Sequence, residues 1–239
     1  MARKKVIFVI VEGPSDETAL GVILNRIYDR NKVHIEIVHG DITSDLNYNP
    51  QNIIGGLGNI VKKYAETTPL SKTDFQEIIH IVDMDGAFIP DSAIVENSRE
   101  NDPYYSLTAI QTSNPENLSQ RNKHKKSNLN CISKLKKVWG SIPYHVYYMS
   151  CNLDHVLYGK LNSSNDNKEN DSLAFAKRYK DDIDGFLTFI SDSEFSRMEG
   201  YKESWEFIKK DLHSLERHTN LGLCFTEIRK ARKQNTQDT

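Results

Sequence analysis

Carboxylate side chains follow two short, largely apolar segments of the chain, at the points where each segment ends. Glu12 comes directly after the run Val6–Val11, and Asp83 and Asp85 follow the run Ile78–Val82. Short apolar runs rich in β-branched residues are typical of buried parallel strands. Because open α/β sheets place their ligands at the carboxyl ends of the strands, we expect the three carboxylates to lie at one edge of a sheet.

Bringing three carboxylates together is unfavourable unless they share a cation. Side chains alternate along an extended backbone, so Asp83 and Asp85 are expected to point to the same side. Mg²⁺ prefers oxygen ligands and uses one or two carboxylates together with substrate phosphates. We therefore interpret Glu12, Asp83 and Asp85 as candidate ligands of Mg²⁺ or Mn²⁺.

Two motifs carry a resemblance to a known family. The segment VEGPSDE, which contains Glu12 and Asp16, is followed by IVDMDGAF, which contains Asp83 and Asp85. Together they resemble the TOPRIM domain, which carries a glutamate after its first strand and a DxD pair after its third. The spacing from Glu12 to Asp16 is similar to that of the nuclease-type TOPRIM domains of the OLD and RloB-like families, which are largely bacterial defence proteins.

The resemblance covers about residues 5 to 160 and extends to a third motif. RloB-like proteins carry P-x-F-E-x-W at the start of a helix after the fourth strand, and SCNLDHVLY looks like a diverged counterpart. Asp154 then stands where the family has its glutamate. The resemblance implies that Glu12, Asp16, Asp83 and Asp85 are catalytic, and that Glu12, Asp83, Asp85 and Asp154 bind metal.

The same resemblance implies an activity and partners. We expect a metal-dependent nuclease that hydrolyses phosphodiester bonds of DNA or RNA, tRNA included, in an anti-phage system. Since the chain has no Walker motif of its own, an ABC-type ATPase is the implied partner protein. A homodimer is also compatible with these families, and association with a membrane is not expected.

The fold class follows from the order of the elements. Strands alternate with helices through the first half of the chain, which predicts an α/β fold with parallel strands. The resemblance makes this a TOPRIM-like, Rossmann-like sheet of about four strands flanked by helices. We expect a catalytic domain over residues 1–160 and a C-terminal helical extension over residues 161–239, packed on it.

Several elements are predicted less directly. Residues 87–127 contain three prolines and many Asn and Ser, so we expect a long irregular segment that faces the substrate. A helix is predicted from Ser127 to Trp139, followed by a strand from Tyr144 to Met149. Polar residues 162–170 predict a linker. Apolar periodicity predicts helices over residues 172–180, 183–190 and 202–215, and the tail is expected to be helical to Lys233.

Lysine-rich stretches interrupt a chain that is nearly neutral overall. The 239 residues carry a formal net charge of -2, yet RNKHKK and KLKK lie close together between Arg121 and Lys137. Such stretches are compatible with nucleic-acid binding and are also common on solvated surfaces. We expect Lys123, Lys125 and Lys126 to contact nucleic-acid phosphates, because they end the segment that begins at the acidic site.

Composition excludes other classes of protein. The chain is 27% charged and 38% hydrophobic, as in soluble globular proteins. It has three widely spaced cysteines and no CxxC pair, so neither a zinc knuckle nor a disulfide framework is supported. The apolar run after the basic N-terminus is too short for a signal peptide, and no stretch is long enough to span a bilayer. These features predict a cytoplasmic protein.

Two other functions agree with the same residues. IVDMDGAF also resembles the first motif of haloacid-dehalogenase phosphatases, with Asp83 as nucleophile, Asp85 as general acid and Asp181 and Asp182 as the later acidic pair. Ala87 replaces the usual threonine, and Glu12 is left without a role. Alternatively, the chain is a non-catalytic TOPRIM subunit that binds nucleic acid or regulates a partner.

Overall fold

The computed structural model describes residues 5–28, 33–100 and 102–237. It is an α/β protein with helices on both sides of a mixed, mostly parallel sheet. The helices are α1 (Pro14–Ile27), α2 (Ile53–Thr67), α3 (Pro115–Ile132), α4 (Leu153–Tyr158), α5 (Asn165–Tyr179), α6 (Ile183–Asp192), α7 (Tyr201–Ile208) and α8 (Thr226–Gln237). The strands are β1 (Lys5–Val11), β2 (Val33–His39), β3 (Phe75–Asp83), β4 (Ile94–Glu96), β5 (Tyr104–Tyr105), β6 (Ile110–Thr112), β7 (Lys137–Val138) and β8 (Ile142–Met149).

The main sheet has the strand order β2-β1-β3-β8-β7. β1 pairs in parallel with β2 and β3, and β3 pairs in parallel with β8. The expectation of about four parallel strands is met, and the short hairpin strand β7 adds a fifth in antiparallel orientation. β2 lies at one edge of the sheet. Its sequence VHIEIV alternates apolar and polar residues, as is typical of an edge strand that is half exposed to water. β1 and β3, which end in the candidate site residues, are central neighbours.

Both faces of the sheet are covered, which explains why β1 is apolar from Val6 to Val11. Ile7, Val9 and Val11 face one apolar cluster, built with α1, α4, α5 and α6. Phe8 and Ile10 face a second cluster, built with α2, α3 and α7. A strand buried on both faces has no polar side, so alternation is lost and a continuous apolar run appears. The C-terminal helices therefore share the core of the N-terminal half.

The segment after the acidic motif is more regular than the sequence indicates. Residues 94–112 form a small second sheet with the strand order β4-β6-β5, and α3 begins at Pro115. Asn114 caps α3 by accepting a hydrogen bond from the Asn117 backbone N–H at 3.0 Å, and proline is well suited to the first helical turn. The prediction that residues 87–127 are irregular is wrong for the second half of this segment. The cap and the proline that begin α3 lie in a very polar sequence, which conceals the helix.

The helix predicted from Ser127 to Trp139 is confirmed only over its first residues, as the end of α3. α3 already ends at Ile132, and Trp139 and Gly140 have φ values of 46° and 89°, which form the turn between β7 and β8. The predicted linker over residues 162–170 is shorter, since α5 begins at Asn165. The helix predicted over residues 202–215 ends at Ile208. The sequence also predicts a helix from Ser15 to about Arg30, because apolar residues recur at helical spacing. α1 begins at Pro14, and the predicted end lies outside the described residues.

Among the described residues, no helix is both long and apolar enough to cross a membrane.

Candidate active site

The ends of β1 and β3 bring Glu12 and Asp83 into direct contact. The Asp83 backbone N–H donates a hydrogen bond to Glu12 Oε1 over 3.1 Å. The contact follows from topology, because neighbouring parallel strands end at the same edge of a sheet. The approach expected of these two residues is therefore present in the fold.

A lysine ammonium lies between two of the predicted carboxylates. Lys125 Nζ is 3.4 Å from Glu12 Oε1 and donates a hydrogen bond to the Asp85 carboxylate. The Lys125 side chain is 0% exposed, whereas those of Glu12 and Asp85 are 12% and 22% exposed. A buried ammonium is stable only where carboxylates compensate its charge. We call Glu12 and Asp85 the inner pair, with Lys125 as its counter-ion.

Lys125 reaches this position because α3 packs on the sheet. Leu118, Asn122, Lys125, Leu129 and Ile132 recur at helical spacing and form its buried face. The sequence predicts that Lys125 contacts phosphates, and the structure buries it against two carboxylates. The signal was present in the sequence: apolar residues at helical spacing flank Asn122 and Lys125. It was missed because the segment was interpreted as irregular.

Asp85 departs from the expected extended backbone. β3 ends at Asp83, and Asp85 has a φ of 46°, in the left-handed region. The Asp85 N–H donates to the Cys151 carbonyl at 2.7 Å, and Arg121 Nη2 donates to the Asp85 carbonyl at 2.8 Å. The alternation argument therefore fails for this pair. The Asp83 carboxylate accepts from the Leu153 N–H, and the Asp85 carboxylate accepts from Lys125.

Gly86 makes the turn after Asp85 possible. Its φ is 67°, and a Cβ at this position would lie 2.7 Å from Ile110 Cδ1 and 2.8 Å from Leu215 Cδ2. Any other residue would be strained in its backbone and would also collide with two side chains. The glycine of the DxDG motif thus positions the carboxylate before it.

Asp83 lies between the two strand ends and the start of α4. Its Oδ1 accepts a hydrogen bond from the Leu153 backbone N–H at 2.9 Å. Burial raises the pKa of the Asp83 carboxyl well above its usual value, and the charges of Glu12 and Asp16 raise it further. A cation added here would stabilise the ionised form.

Asp16 and Asp154 form a second acidic pair near Asp83, which we call the outer pair. Asp16 Oδ2 accepts a hydrogen bond from the Gly13 N–H at 2.9 Å in the first turn of α1. Asp154 lies in the first turn of α4, 3.7 Å from Lys168 Nζ. Burial raises the pKa of both carboxyls, and the charge of Asp154 raises that of Asp16.

Burial raises the pKa of Glu12 to about 8, and the nearby Lys125 acts in the opposite direction. Asp41 and Thr43, which follow β2, complete its surroundings. Thr43 Oγ1 lies 3.4 Å from Glu12 Oε1 and donates to Asp41 Oδ1 at 3.0 Å. Although burial would raise the pKa of Asp41, Lys125 and the Ser44 N–H hold it below its ordinary value. Asp41 could not be assigned to the site from the sequence, since it is one of several acidic residues in predicted loops.

The other predicted phosphate-binding lysines lie outside this cluster. Lys123 is exposed and 3.4 Å from Asp91 Oδ2. Lys126 Nζ lies 5.5 Å from the centre of the Phe88 ring. These two side chains lie on the outer faces of α3, so of the three lysines only Lys125 contacts the acidic cluster.

The acids that the phosphatase interpretation requires have contacts elsewhere. Asp182 caps α6 by accepting from the Gly185 N–H at 2.9 Å, and Asp181 Oδ1 lies 3.3 Å from Arg26. Within the described part of the chain, none of their contacts is with Asp83 or Asp85. The structure therefore gives these two acids roles in capping and at the surface.

The carboxylates at the ends of β1 and β3 are the groups that could bind a metal ion at this site. Within the described residues, no group of three or more His, Cys, Asp or Glu side chains is arranged so that it could hold a metal ion. The donor chemistry nevertheless suits Mg²⁺, because carboxylate oxygens are its preferred protein ligands. Lys125 already stands as a cation between Glu12 and Asp85. The residues fit a divalent ion in kind and charge, and joint binding by the inner pair requires the ammonium to move aside.

Comparison of the chain with protein-family models, with curated proteins and with solved structures gives no match in any of the three. The resemblance to TOPRIM nucleases stays a prediction that rests on the sequence motifs.

Proposed function

We propose that this chain is a metal-dependent nuclease of the TOPRIM type, which hydrolyses phosphodiester bonds of DNA or RNA with Mg²⁺ or Mn²⁺. One observation carries the proposal. Glu12, Asp83 and Asp85 lie at the ends of two neighbouring parallel strands, where Glu12 and Asp85 contact one buried ammonium group and Glu12 accepts from the Asp83 N–H. Burial raises the pKa of Glu12 and of Asp83, and carboxylates with raised pKa values at the carboxyl edge of an α/β sheet are typical of functional sites.

Asp83 and Asp85 are the residues that would hold the metal, together with Glu12, and Asp16 and Asp154 would serve a second ion. Bound Mg²⁺ would polarise a phosphoryl oxygen and lower the pKa of a bound water molecule. The raised pKa values of Asp83, Asp16 and Asp154 support this assignment, because each carboxyl would become more favourable when ionised beside a cation.

Glu12 is suited to proton transfer as well as to metal binding. A pKa of about 8 lies near neutral pH, where a group can both hold and release a proton. Lys125, 3.4 Å away, favours the ionised carboxylate and so keeps the proton labile. We assign Glu12 the role of general acid or base at the reacting phosphodiester.

The cations of α3 complete the site. Lys125 and Arg121 would offset the charge of a phosphate that approaches the acidic edge, and Arg121 is held there by the Asp85 carbonyl and the Tyr105 hydroxyl. Lys123 and Lys126, on the outer faces of the helix, would add affinity that does not depend on sequence and weakens with salt.

A cleavage assay tests the proposal. Mixed DNA and RNA, including tRNA, would be incubated with wild type, Glu12→Gln and Asp83→Asn in Mg²⁺ or Mn²⁺. Glu66→Gln, an exposed carboxylate on α2, is the matched control. We expect metal-dependent cleavage in wild type and in the control, reduced at least about 100-fold in both site variants. Cleavage that survives both site substitutions would contradict the site.

The system around the nuclease is also proposed from the resemblance. We propose that the chain acts in the cytoplasm as the effector of an anti-phage system with an ABC-type ATPase, and a homodimer is compatible with this role. If the purified protein is silent, the cleavage assay is repeated with the ATPase encoded beside it and with ATP. Activity that depends on the ATPase would support the partnership. Silence in both assays would contradict the nuclease.

Lys125 favours one second candidate function, a non-catalytic scaffold that binds nucleic acid. A buried ammonium partly neutralises the inner pair without any metal. In such a scaffold, Asp83→Asn would leave the biological activity unchanged. The same variant abolishes activity if the chain is a nuclease, so phage-protection assays with Asp83→Asn separate the two.

A further inference from the structure

A second concave surface lies away from the acidic edge. A groove of about 950 Å³ runs between the residues after α3, the first half of β8 and the start of α7. Its lining includes apolar and aromatic side chains together with lysines. We call it the basic groove, and its lining residues that matter here are Lys134, Leu135, Lys136, His145, Tyr201, Lys202, Glu206, Lys209 and Leu223.

The charge of the basic groove is strongly one-sided. Four lysines line it, Lys134, Lys136, Lys202 and Lys209, against the single carboxylate of Glu206. That carboxylate lies 3.6 Å from Lys202 on the same helix. Among the described residues, the other three lysines have no carboxylate within ion-pair distance. A concave surface with this charge attracts anions.

Lys209 shows how far the groove concentrates positive charge. Its Nζ is partly buried, donates to Ser133 Oγ at 3.2 Å and lies 5.3 Å from the centre of the Trp205 ring. Burial and the neighbouring Lys134 lower the pKa of Lys209 to about 8. Two ammonium groups that repel each other at one wall leave a place where a bound anion would be stabilised.

The floor of the groove offers flat and apolar surface. The His145 side chain is 46% exposed, and its ring stacks on that of Tyr147 at an interplanar angle of 29°. Leu135, Tyr201 and Leu223 are partly exposed beside it. Nucleobases bind such surfaces by stacking, and they are accessible for this only in single strands.

The basic groove is connected to the acidic edge through Phe88. Lys126 and Lys209 lie 5.5 Å and 5.7 Å from the centre of this ring. Phe88 follows Asp85 by three residues, a distance of at most about 10 Å along the chain. A line of ammonium groups, Lys126, Lys209 and Lys134, thus leads from the acidic edge into the groove.

We propose that the basic groove binds a segment of single-stranded nucleic acid, with phosphates on its lysines and bases on its apolar floor. This inference rests on the proposed nuclease function. It limits the substrate to nucleic acid that is single-stranded where it lies in the basic groove. Charge complementarity and the exposed ring of His145 carry it. The groove also gives a role to the KLKK stretch, which the acidic site does not use.

Binding is measured without cleavage, by fluorescence anisotropy of a fluorescein-labelled oligonucleotide in EDTA. The single strand, as DNA and as RNA, is compared with a duplex of the same length. Lys134→Glu/Lys136→Glu reverses two exposed charges in the groove. Lys177→Glu/Lys180→Glu reverses two exposed charges on and just after α5, on the other side of the sheet, and is the matched control because it changes the net charge equally.

We expect wild type to bind the single strand at least about tenfold more tightly than the duplex. The groove variant should weaken that binding about tenfold or more and lower the salt slope by about 1.4, since each phosphate contact of a single strand contributes about 0.7. The control should change it less than about twofold. Equal weakening by both variants, equal affinity for the duplex, or full competition by a free mononucleotide would each overturn the proposal.

The outcome is separable from that of the nuclease proposal. If single-strand binding depends on Lys134 and Lys136 but the protein never cleaves nucleic acid, the groove proposal is supported and the nuclease proposal is contradicted. Cleavage of single strands and duplexes at equal rates, unchanged in the groove variant, would uphold the nuclease and remove the groove. Photocrosslinking of an oligonucleotide with 5-iodouracil, mapped by mass spectrometry, should place the contact at His145 or Tyr201.

Discussion

The inner and outer acidic pairs each consist of two carboxyl groups beside one lysine, but they differ in how their negative charge is compensated. The inner pair, Glu12 and Asp85, contacts Lys125, whose side chain is 0% exposed. The outer pair, Asp16 and Asp154, depends on Lys168, which is 39% exposed and 3.7 Å from Asp154. Burial raises the pKa of Asp83, which lies beside both pairs, and the charges of Glu12, Asp16 and Asp85 raise it further.

This difference indicates that the Lys125 ammonium is part of the folded structure, whereas the Lys168 ammonium can be displaced by an added cation. Lys125 belongs to the buried face of a long helix, so removing its charge exposes two carboxylates to a poorly solvated site. Lys168 reaches its partner from solvent, where water and salt screen the interaction. The inner pair is therefore part of the folded core, and the outer pair is open to competition by an added ion.

The largest effect is expected for Lys125→Met. The substitution keeps most of the volume, leaves Asp85 without its counter-ion and removes the charge that favours an ionised Glu12, which we expect to destabilise the fold by about 3–5 kcal/mol at pH 7.5. Urea unfolding measures the loss. Lys168→Met is the matched control and should change stability by no more than about 1 kcal/mol. Equal losses in the two variants would remove the distinction between the pairs.

The next prediction concerns pH. The pKa of Glu12 rises from an ordinary value of 4.5 to about 8 on folding, so the folded state keeps a proton that the unfolded state has released between these values. Stability should therefore fall as the pH rises through this window, by at most about 1.4 kcal/mol per pH unit for this group. Urea unfolding from pH 5 to 8 measures the slope.

Glu12→Gln provides the control for that slope. Glutamine keeps an oxygen that can accept from the Asp83 N–H and has no proton to release, so the slope should flatten. Asp83, whose pKa is also raised well above its usual value, contributes to the same dependence, so the slope should flatten further when Asp83→Asn is added, and Asp16 and Asp154 account for part of what remains. A slope unchanged in Glu12→Gln would show that other groups control it.

A smaller stabilisation is expected from metal. A divalent ion that binds the folded state alone stabilises it by about 1.4 kcal/mol at ten times its Kd, which raises the melting temperature of a chain of this size by about 3–6 °C. Thermal unfolding with increasing Mg²⁺ measures it. Asp83→Asn should lose most of the shift, whereas Asp91→Asn, at an exposed carboxylate, should keep it. An equal shift in both variants would place the ion elsewhere.

Much of the fold could be predicted from the sequence, and the reason is physical. The strands β1, β3 and β8 are buried on both faces near their carboxyl ends, so these ends are largely apolar, and Glu12 and Asp83 follow from the strand ends alone. α3 could not be predicted in the same way. Its buried face includes Asn122, Lys125 and Asn128, so the polar residues that belong to the site conceal the helix that positions them.

The counter-ions could not be predicted for a related reason. Whether a lysine lies in solvent or in the core depends on tertiary packing, and Lys123, Lys125 and Lys126 differ by only a few positions in one basic stretch. The turn at Asp85 is similar, since its left-handed backbone depends on hydrogen bonds from Arg121 and to Cys151. Strand alternation, a local property, gives no information on either contact.

The smallest effect is expected for Asp154→Asn in the outer pair. Asparagine nearly matches the shape of the side chain and removes a charge that burial disfavours, so the loss of the Lys168 ion pair is offset. Stability at pH 7.5 should change by less than about 1 kcal/mol, and the melting shift with Mg²⁺ should persist if the first ion binds at Asp83. Urea and thermal unfolding measure both quantities. A loss near that of Lys125→Met would mean that the outer pair is as firmly built into the core as the inner one, and that neither pair is free to exchange its lysine for a metal.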